Sequence, residues 1–346
     1  MSLKPSSIKS QLRKLFIFFF GYGNYIRLHV FLKYKKPVTL RLDIVATCNA
    51  QCPFCPRVYM DEGRLVGSMD FEKIKSILIS AKRYGFKNLK VYITSEPTVH
   101  KQFNEIMKFS KDLGFINYVS SNASLIPRAI DGLKYVDHLQ ISVEGWDKES
   151  YEKYRYPLKF DKVYQNLKLL NNEIPLKKQN RYIHVPVTKK TDLKKFALLW
   201  GEFVSHINID FMQPANIYSG GIMKSEFNDT LKDDYYDFTP FDDNYVCFDP
   251  FSEIVVAYDG KIMLCCLDFS ASYNLGNIEE GFETLVSNKI RKIIQKQFFT
   301  QKLNTCKDCS MFYKPSKDAI KSLINEVNLI NSLNVSKAKL VTKLNF

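Results

Sequence analysis

Three cysteines lie close together in the run Ala46-Thr47-Cys48-Asn49-Ala50-Gln51-Cys52-Pro53-Phe54-Cys55-Pro56. Gaps of three and then two residues put three thiolates on one loop. Three thiolates can hold three irons of a [4Fe–4S] cube, and a fourth would be needed to complete the ligation. One iron is then open to a small molecule. The competing chemistry is a tetrahedral zinc site, which requires four ligands. The loop holds no His and no further Cys, and its spacing is poor for a zinc knuckle, so the pattern favours iron and sulfide.

A second group comprises Cys247, Cys265, Cys266, Cys306 and Cys309, and with the first it accounts for all 8 cysteines of the chain. Disulfide frameworks do not cluster in this way. Thiolate metal ligands in a reducing, cytoplasmic compartment do. Paired cysteines at long separation, ending in Cys306-Lys307-Asp308-Cys309, also suit a zinc ribbon.

These loops need a scaffold. From Pro37 to about Pro214 short β-branched or apolar runs alternate with helical stretches, and the pattern predicts strands over Val38–Val45, Leu89–Ile93, Ile116–Ser120, His138–Val143, Tyr182–Val187 and Ile207–Met212. Between them, Ile74, Ile77, Leu78 and Ala81 form one helical stripe, and Phe196, Leu199, Trp200 and Phe203 another. Gly85 and Gly114 stand where two helices should stop. Six strands alternating with helices imply an α/β fold with a parallel sheet and right-handed crossovers. The first cysteine loop then sits at the end of the first strand. The expected organisation is a helical arm over residues 1–36, an α/β core over 37–214, a linker over 215–243, a cysteine-rich module over 244–315 and a helical tail over 316–346.

The formal net charge is +14, and residues 1–40 hold eight Lys or Arg with no Asp or Glu. Such an arm suits an anionic partner: an activated or phosphorylated substrate, an acidic membrane surface or nucleic acid. It equally suits a solvated face. The apolar run Leu15–Phe20 is broken at Gly21-Tyr22-Gly23-Asn24 and is far shorter than the ~20 residues a membrane span requires. It reads as a helix covering the core or in peripheral contact with a membrane.

The C-x3-C-x-aromatic-C loop after the first strand, with Phe54 at the aromatic position, resembles the radical S-adenosylmethionine superfamily, and the resemblance runs from about Val38 to Phe312. It implies a partial (βα)6 TIM-type barrel. S-adenosylmethionine would chelate the open iron, and an electron from an external flavodoxin or ferredoxin type donor would break its C5′–S bond. The resulting 5′-deoxyadenosyl radical abstracts hydrogen from substrate. Thr94-Ser95-Glu96-Pro97 is similar to the family's Gly-Gly-Glu-Pro with both glycines replaced, which implies that Ser95 and Glu96 meet the ligand's amino group. Ser120-Ser121-Asn122-Ala123 resembles Thr-Asn-Gly, placing Asn122 at the ribose or substrate; an Asn holding a turn is the other reading. Gln140-Ile141-Ser142-Val143-Glu144-Gly145 resembles Ser-x-Asp-Gly with Glu for Asp, so Ser142 matches a ribose or amino-acid contact. Arg155 matches an arginine that pairs with the ligand carboxylate, for which a forked guanidinium is suited; a surface helix position is the alternative.

Gly260-x4-Cys265, Leu275-Gly276-Asn277-Ile278 and the closing C-x2-C resemble the SPASM or twitch extension of that superfamily. By this resemblance Cys247, Cys265, Cys306 and Cys309 ligate one auxiliary [4Fe–4S] cluster that relays electrons, and Cys266 is spare.

The leading expectation is a radical enzyme acting on a polar small molecule, with sugars, amino sugars or nucleotide sugars first. A peptide or protein maturase is the second, although residues 1–36 look too short and apolar for a leader-binding module. RNA modification is the third; no appended RNA-binding fold or stacking platform is visible, so no nucleic acid is expected. A zinc-stabilised protein without enzymatic activity is the fourth.

Overall fold

The computed structural model describes residues 37–60, 66–212, 234–240, 247, 249–269, 271, 273–290, 309 and 313–342. The 1–36 arm, most of the expected linker and Cys306 lie outside the described residues.

Six strands form in the expected order: β1 (Thr39–Leu42), β2 (Asn88–Lys90), β3 (Ile116–Ser121), β4 (His138–Ile141), β5 (Asn180–Val187) and β6 (His206–Phe211). Each pairs in parallel with the next. Helices fill the crossovers: α1 (Phe71–Tyr84), α2 (Phe103–Asp112), α3 (Ile126–Leu133), α4 (Lys148–Tyr154), α5 (Phe160–Glu173) and α6 (Leu193–Trp200). α1 starts where the Asp70 carboxylate accepts from the Glu72 and Lys73 amides, and it stops at Gly85 with φ of 109°. Its buried stripe is Ile74, Ile77, Leu78 and Ala81, as the period requires. The second stripe is shifted. α6 buries Leu193, Phe196, Ala197 and Trp200 and ends before Phe203, which is buried in the following turn.

Two strands join that periodicity did not reveal. β8 (Glu253–Val256), from the cysteine-rich module, pairs in parallel with β1, and β11 (Lys339–Thr342), from the tail, pairs in parallel with β6. The tail is therefore helical only over α7 (Lys317–Ser332) and then returns to the sheet. β9 (Ile262–Met263) runs antiparallel to β8 and closes a sheet of nine strands, while β7 (Phe238–Pro240) and β10 (Tyr313–Pro315) form a separate antiparallel pair. Strands of four residues carry too little alternation to be read alone. Pairing with a central strand fixes them.

Alternation along the strands sorts the two faces of the sheet. Leu40, Leu42, Leu139, Ile141, Ile183, Ile207 and Ile209 are buried in the main apolar core. The opposite face is polar. Arg41 forks onto Glu253, with Nε 2.6 Å from Oε2 and Nη2 3.2 Å from Oε1, and Lys90 reaches the same carboxylate. Burial would raise the Glu253 carboxyl, but Arg41 and Lys90 outweigh it and hold it below the usual carboxylate range. Tyr182 of β5 hydrogen-bonds Tyr92, whose ring centroid lies 5.0 Å from the Arg41 guanidinium carbon, so this face is a shared interior. Parallel strands are ordinarily apolar on both faces.

Among the described residues, no helix is long and apolar enough to cross a membrane.

Candidate functional site

β1 delivers the cysteine loop to the end of the sheet where strands β2 to β4 also terminate. Local contacts hold its shape. The Arg57 guanidinium donates to the Ala46 carbonyl, the Ala46 amide donates to Gly67 at 2.8 Å, and the Cys55 amide donates to the Cys52 carbonyl at 2.9 Å. Pro56 opens a single helical turn over Pro56–Tyr59, a position where its missing N–H costs nothing.

Cys52 is buried and Cys48 and Cys55 are half-buried. Burial pushes the Cys48 thiol up to about 11 and Cys55 to about 12, and it raises Cys52 as well. In Cys55 the neighbouring Cys52 and Cys48 add to that rise. Two donors already point at sulfur: the Ala50 amide 3.5 Å from Cys48 Sγ and Arg155 Nη1 3.6 Å from Cys52 Sγ. The Phe54 ring lies 5.5 Å from the same guanidinium carbon and tilts against Tyr154 at 6.4 Å. Three neighbouring thiols, two N–H donors to sulfur and an aromatic wall are a donor set that fits an iron–sulfur cluster, whose potential is tuned by hydrogen bonds to its sulfurs.

Glu96 follows β2 and is 2 % exposed. Its Oε1 accepts from the Thr98 amide, the Thr98 hydroxyl and the Ser121 hydroxyl at 3.2, 2.5 and 2.9 Å, and its Oε2 accepts from the Asn122 amide at 2.7 Å. A carboxylate offers about four acceptor positions, so Oε2 retains capacity for one more donor. Asn122 donates from Nδ2 to Asn49 Oδ1 at 2.9 Å and accepts from the Ser124 amide at 3.0 Å and hydroxyl at 2.7 Å. Asn49 in turn donates to the Ser124 hydroxyl at 2.8 Å. Asn122 thus ties the cysteine loop to the β3 turn. Asn122→Ala should cost about 1–3 kcal/mol by leaving Asn49 and Ser124 short of partners, and should loosen the loop. Chemical denaturation and iron retention after gel filtration would check it.

Ser95 donates to Asp43 Oδ1 at 2.7 Å, and Ser142 shares a hydroxyl contact of 3.0 Å with Ser120. Asp43 went unremarked in the sequence. Its signal is a carboxylate closing an otherwise apolar strand end, five residues before Cys48.

Arg155 is the largest departure from expectation. It is not a surface residue: it closes α4, is 9 % exposed, and pairs through Nε with the buried Glu144 carboxylate. Burial would lower the guanidinium, but Glu144 and Cys52 outweigh it and hold Arg155 cationic. Arg155 contacts an internal carboxylate and a sulfur of the cysteine loop. Gly145 makes this possible. It has φ of 96°, and a Cβ there would run into the backbone of Ser150 and Tyr151 at the start of α4. Gly145→Ala should therefore destabilise the protein by about 2–4 kcal/mol, which thermal unfolding would show as a lowered midpoint.

In the second cysteine group the thiol of Cys265 is raised by burial and by its neighbours Cys266, Cys247 and Cys309. Three of the four expected ligands are thus brought together, and the fourth, Cys306, lies outside the described residues. Cys266 diverges: its sulfur lies 3.8 Å from Asp249 Oδ2 and senses Arg41, Glu253 and Lys90 of the polar interior. Among the described residues no three His, Cys, Asp or Glu side chains are grouped to hold a single metal ion.

Residues 42–198 match the Radical SAM superfamily, and residues 247–310 match the iron–sulfur cluster-binding domain SPASM. The chain thus contains a radical SAM domain followed by a SPASM domain. Its cofactors are accordingly S-adenosylmethionine, a [4Fe–4S] cluster and auxiliary iron–sulfur chemistry. A tungsten-containing aldehyde ferredoxin oxidoreductase cofactor-modifying protein of Pyrococcus furiosus is 32% identical over 90 residues, 25% of this chain and 24% of that protein, so the match spans about a quarter of the relative's length. Streptococcus suis SuiB, solved with its precursor peptide SuiA, superposes with a TM-score of 0.59 at 13% identity over 79% of this chain and 70% of that one. BtrN in complex with AdoMet and 2-DOIA gives 0.51 at 15% identity, covering 80% and 93%. At these identities the likeness is one of fold.

Proposed function

We propose that this protein reductively cleaves S-adenosylmethionine at Cys48, Cys52 and Cys55 and uses the radical to take hydrogen from a polar small molecule held in the sheet's interior. The bound cluster supplies the electron that breaks the C5′–S bond. The observation that carries the substrate class is the polar face of the sheet, on which Arg41 and Lys90 meet Glu253 of the SPASM strand β8.

The chain's own residues divide the remaining work. Ala50 and Arg155 donate to the sulfurs of Cys48 and Cys52, which favours the reduced state of a thiolate-bound cluster. Phe54 shields that loop. Glu96 Oε2, with Ser95 and Asp43 beside it, accepts from the ligand's ammonium, and the Ser142 hydroxyl meets its ribose or amino-acid part. An external electron donor, of flavodoxin or ferredoxin type, supplies reducing power.

Cys247, Cys265, Cys306 and Cys309 would hold the auxiliary cluster, which would supply one-electron redox capacity for oxidising a substrate radical. The Cys306→Ser, Cys309→Ser double variant should retain substrate-independent cleavage within about threefold and lose product formation. Release of 5′-deoxyadenosine and product by liquid chromatography would read both. Unchanged turnover would remove the relay role. To test the substrate class, the reconstituted enzyme would be screened with nucleotide sugars and amino sugars for stimulated 5′-deoxyadenosine release. Stimulation by a peptide and by none of these would overturn it in favour of a maturase.

A further inference from the structure

Strands β5 and β6 present polar groups that the chemistry above leaves unused. Parallel register sets His184 beside Asn208, with Asp210 opposite Pro186 two residues further along β6. Ile207 and Ile209 face the apolar core, so alternation turns Asn208 and Asp210 to the interior that Tyr182 shares with Tyr92 and Arg41. Asn208 is 2 % exposed, and its Nδ2 meets no acceptor. His184 is partly exposed, but its Nε2 atom is shielded and makes no hydrogen bond, lying 3.8 Å from Asp210 Oδ2. That gap is too long for a direct bond, and one donor lying to the side of both atoms can reach them together.

Buried polar groups nearly always find partners, and an unmet buried donor is unfavourable. An unmet amide donor and an unmet ring nitrogen on facing positions of adjacent strands are explained by a ligand that completes them, because a binding site keeps a few well-placed polar groups ready. The face also adjoins the cluster loop. His184 acts electrostatically on Glu144, whose partner Arg155 donates to Cys52 Sγ.

The geometry points to Asn208, His184 and Asp210 as the face that holds the substrate, a small hydroxyl-bearing molecule that carries an amino group. Asn208 Nδ2 donates to a hydroxyl oxygen. The amino group sits to one side of His184 Nε2 and Asp210 Oδ2, donating to both, and Asp210 supplies the charge that selects an amine over a plain polyol. This assignment rests on the small-molecule reading above and names the residues that would enforce it.

The test uses anaerobically reconstituted holoenzyme with S-adenosylmethionine bound, in equilibrium dialysis against radiolabelled glucosamine and, separately, myo-inositol. Wild type should retain glucosamine. Asn208→Leu should weaken that retention at least tenfold, and Asp210→Asn should weaken glucosamine while leaving inositol within twofold. The holoenzyme unfolding midpoint of Asn208→Leu should hold or rise, since an unpaired amide is removed; Asn208→Ala repeats the binding test without added bulk. Equal retention by wild type and both Asn208 variants, or retention of neither probe by wild type, overturns the subsite. Substrate-independent release of 5′-deoxyadenosine by wild type is measured on the same preparation. Its absence would mean that the underlying radical reaction fails, a result separate from the fate of the subsite.

Discussion

Replacing Cys52 with alanine should reduce 5′-deoxyadenosine formation to the level of a protein-free mixture and lower bound iron by about four atoms per chain. Cys52 is the most buried thiol of its loop, and it is the sulfur that Arg155 addresses. Its loss leaves two thiolates for a cluster that needs three to remain on the protein while keeping one iron for a ligand. The same holds for Cys48→Ala and Cys55→Ala. The auxiliary cluster would stay, because its thiols lie in a separate group around Cys265, so about half the iron and visible absorbance should persist. A triple alanine variant that still released 5′-deoxyadenosine at the wild-type rate would refute this role for the loop.

The second large effect concerns Arg155. Arg155→Met should cost about 3–5 kcal/mol, because it strands Glu144 as an uncompensated charge in the interior. Glu144 is 5 % exposed, and burial pushes its carboxyl up against the opposing pull of Arg155. The variant would therefore take up a proton at Glu144. Arg155→Met with Glu144→Leu should recover most of the loss, since exchanging both members of a buried pair for apolar groups is often close to neutral. Denaturant titration of the three proteins distinguishes this from a simple packing defect, for which the second substitution would deepen the loss. Removing the N–H donor from Cys52 Sγ should also make the cluster harder to reduce, lowering its midpoint potential and slowing cleavage at a fixed dithionite concentration.

The cysteine loop was legible because ligation constrains residue type and spacing together. Strands β1 to β6 were legible because alternation of apolar residues survives in each, and α1 because its stripe, its Asp70 cap and Gly85 agree. What escaped is pairing across long separations. Arg41 and Glu253 are 212 positions apart, and nothing local to either announces the other. β8 and β11 are four-residue strands whose partners, not their sequences, make them strands. Arg155 was visible as a charge near the end of a helix. Its direction, inward to Glu144 and Cys52, depends on the Gly145 backbone and could not be read from spacing. Asn122 carried two readings with equal warrant, and its ties to Asn49 and Ser124 are visible only in the fold.

The measurement that bears most directly on the central claim is iron, sulfide and zinc analysis of anaerobically purified protein, followed by incubation with dithionite and S-adenosylmethionine and assay for 5′-deoxyadenosine. Two clusters predict about eight irons and eight sulfides per chain, with 5′-deoxyadenosine accumulating over time. Stoichiometric zinc, with S-adenosylmethionine left intact, would contradict the account.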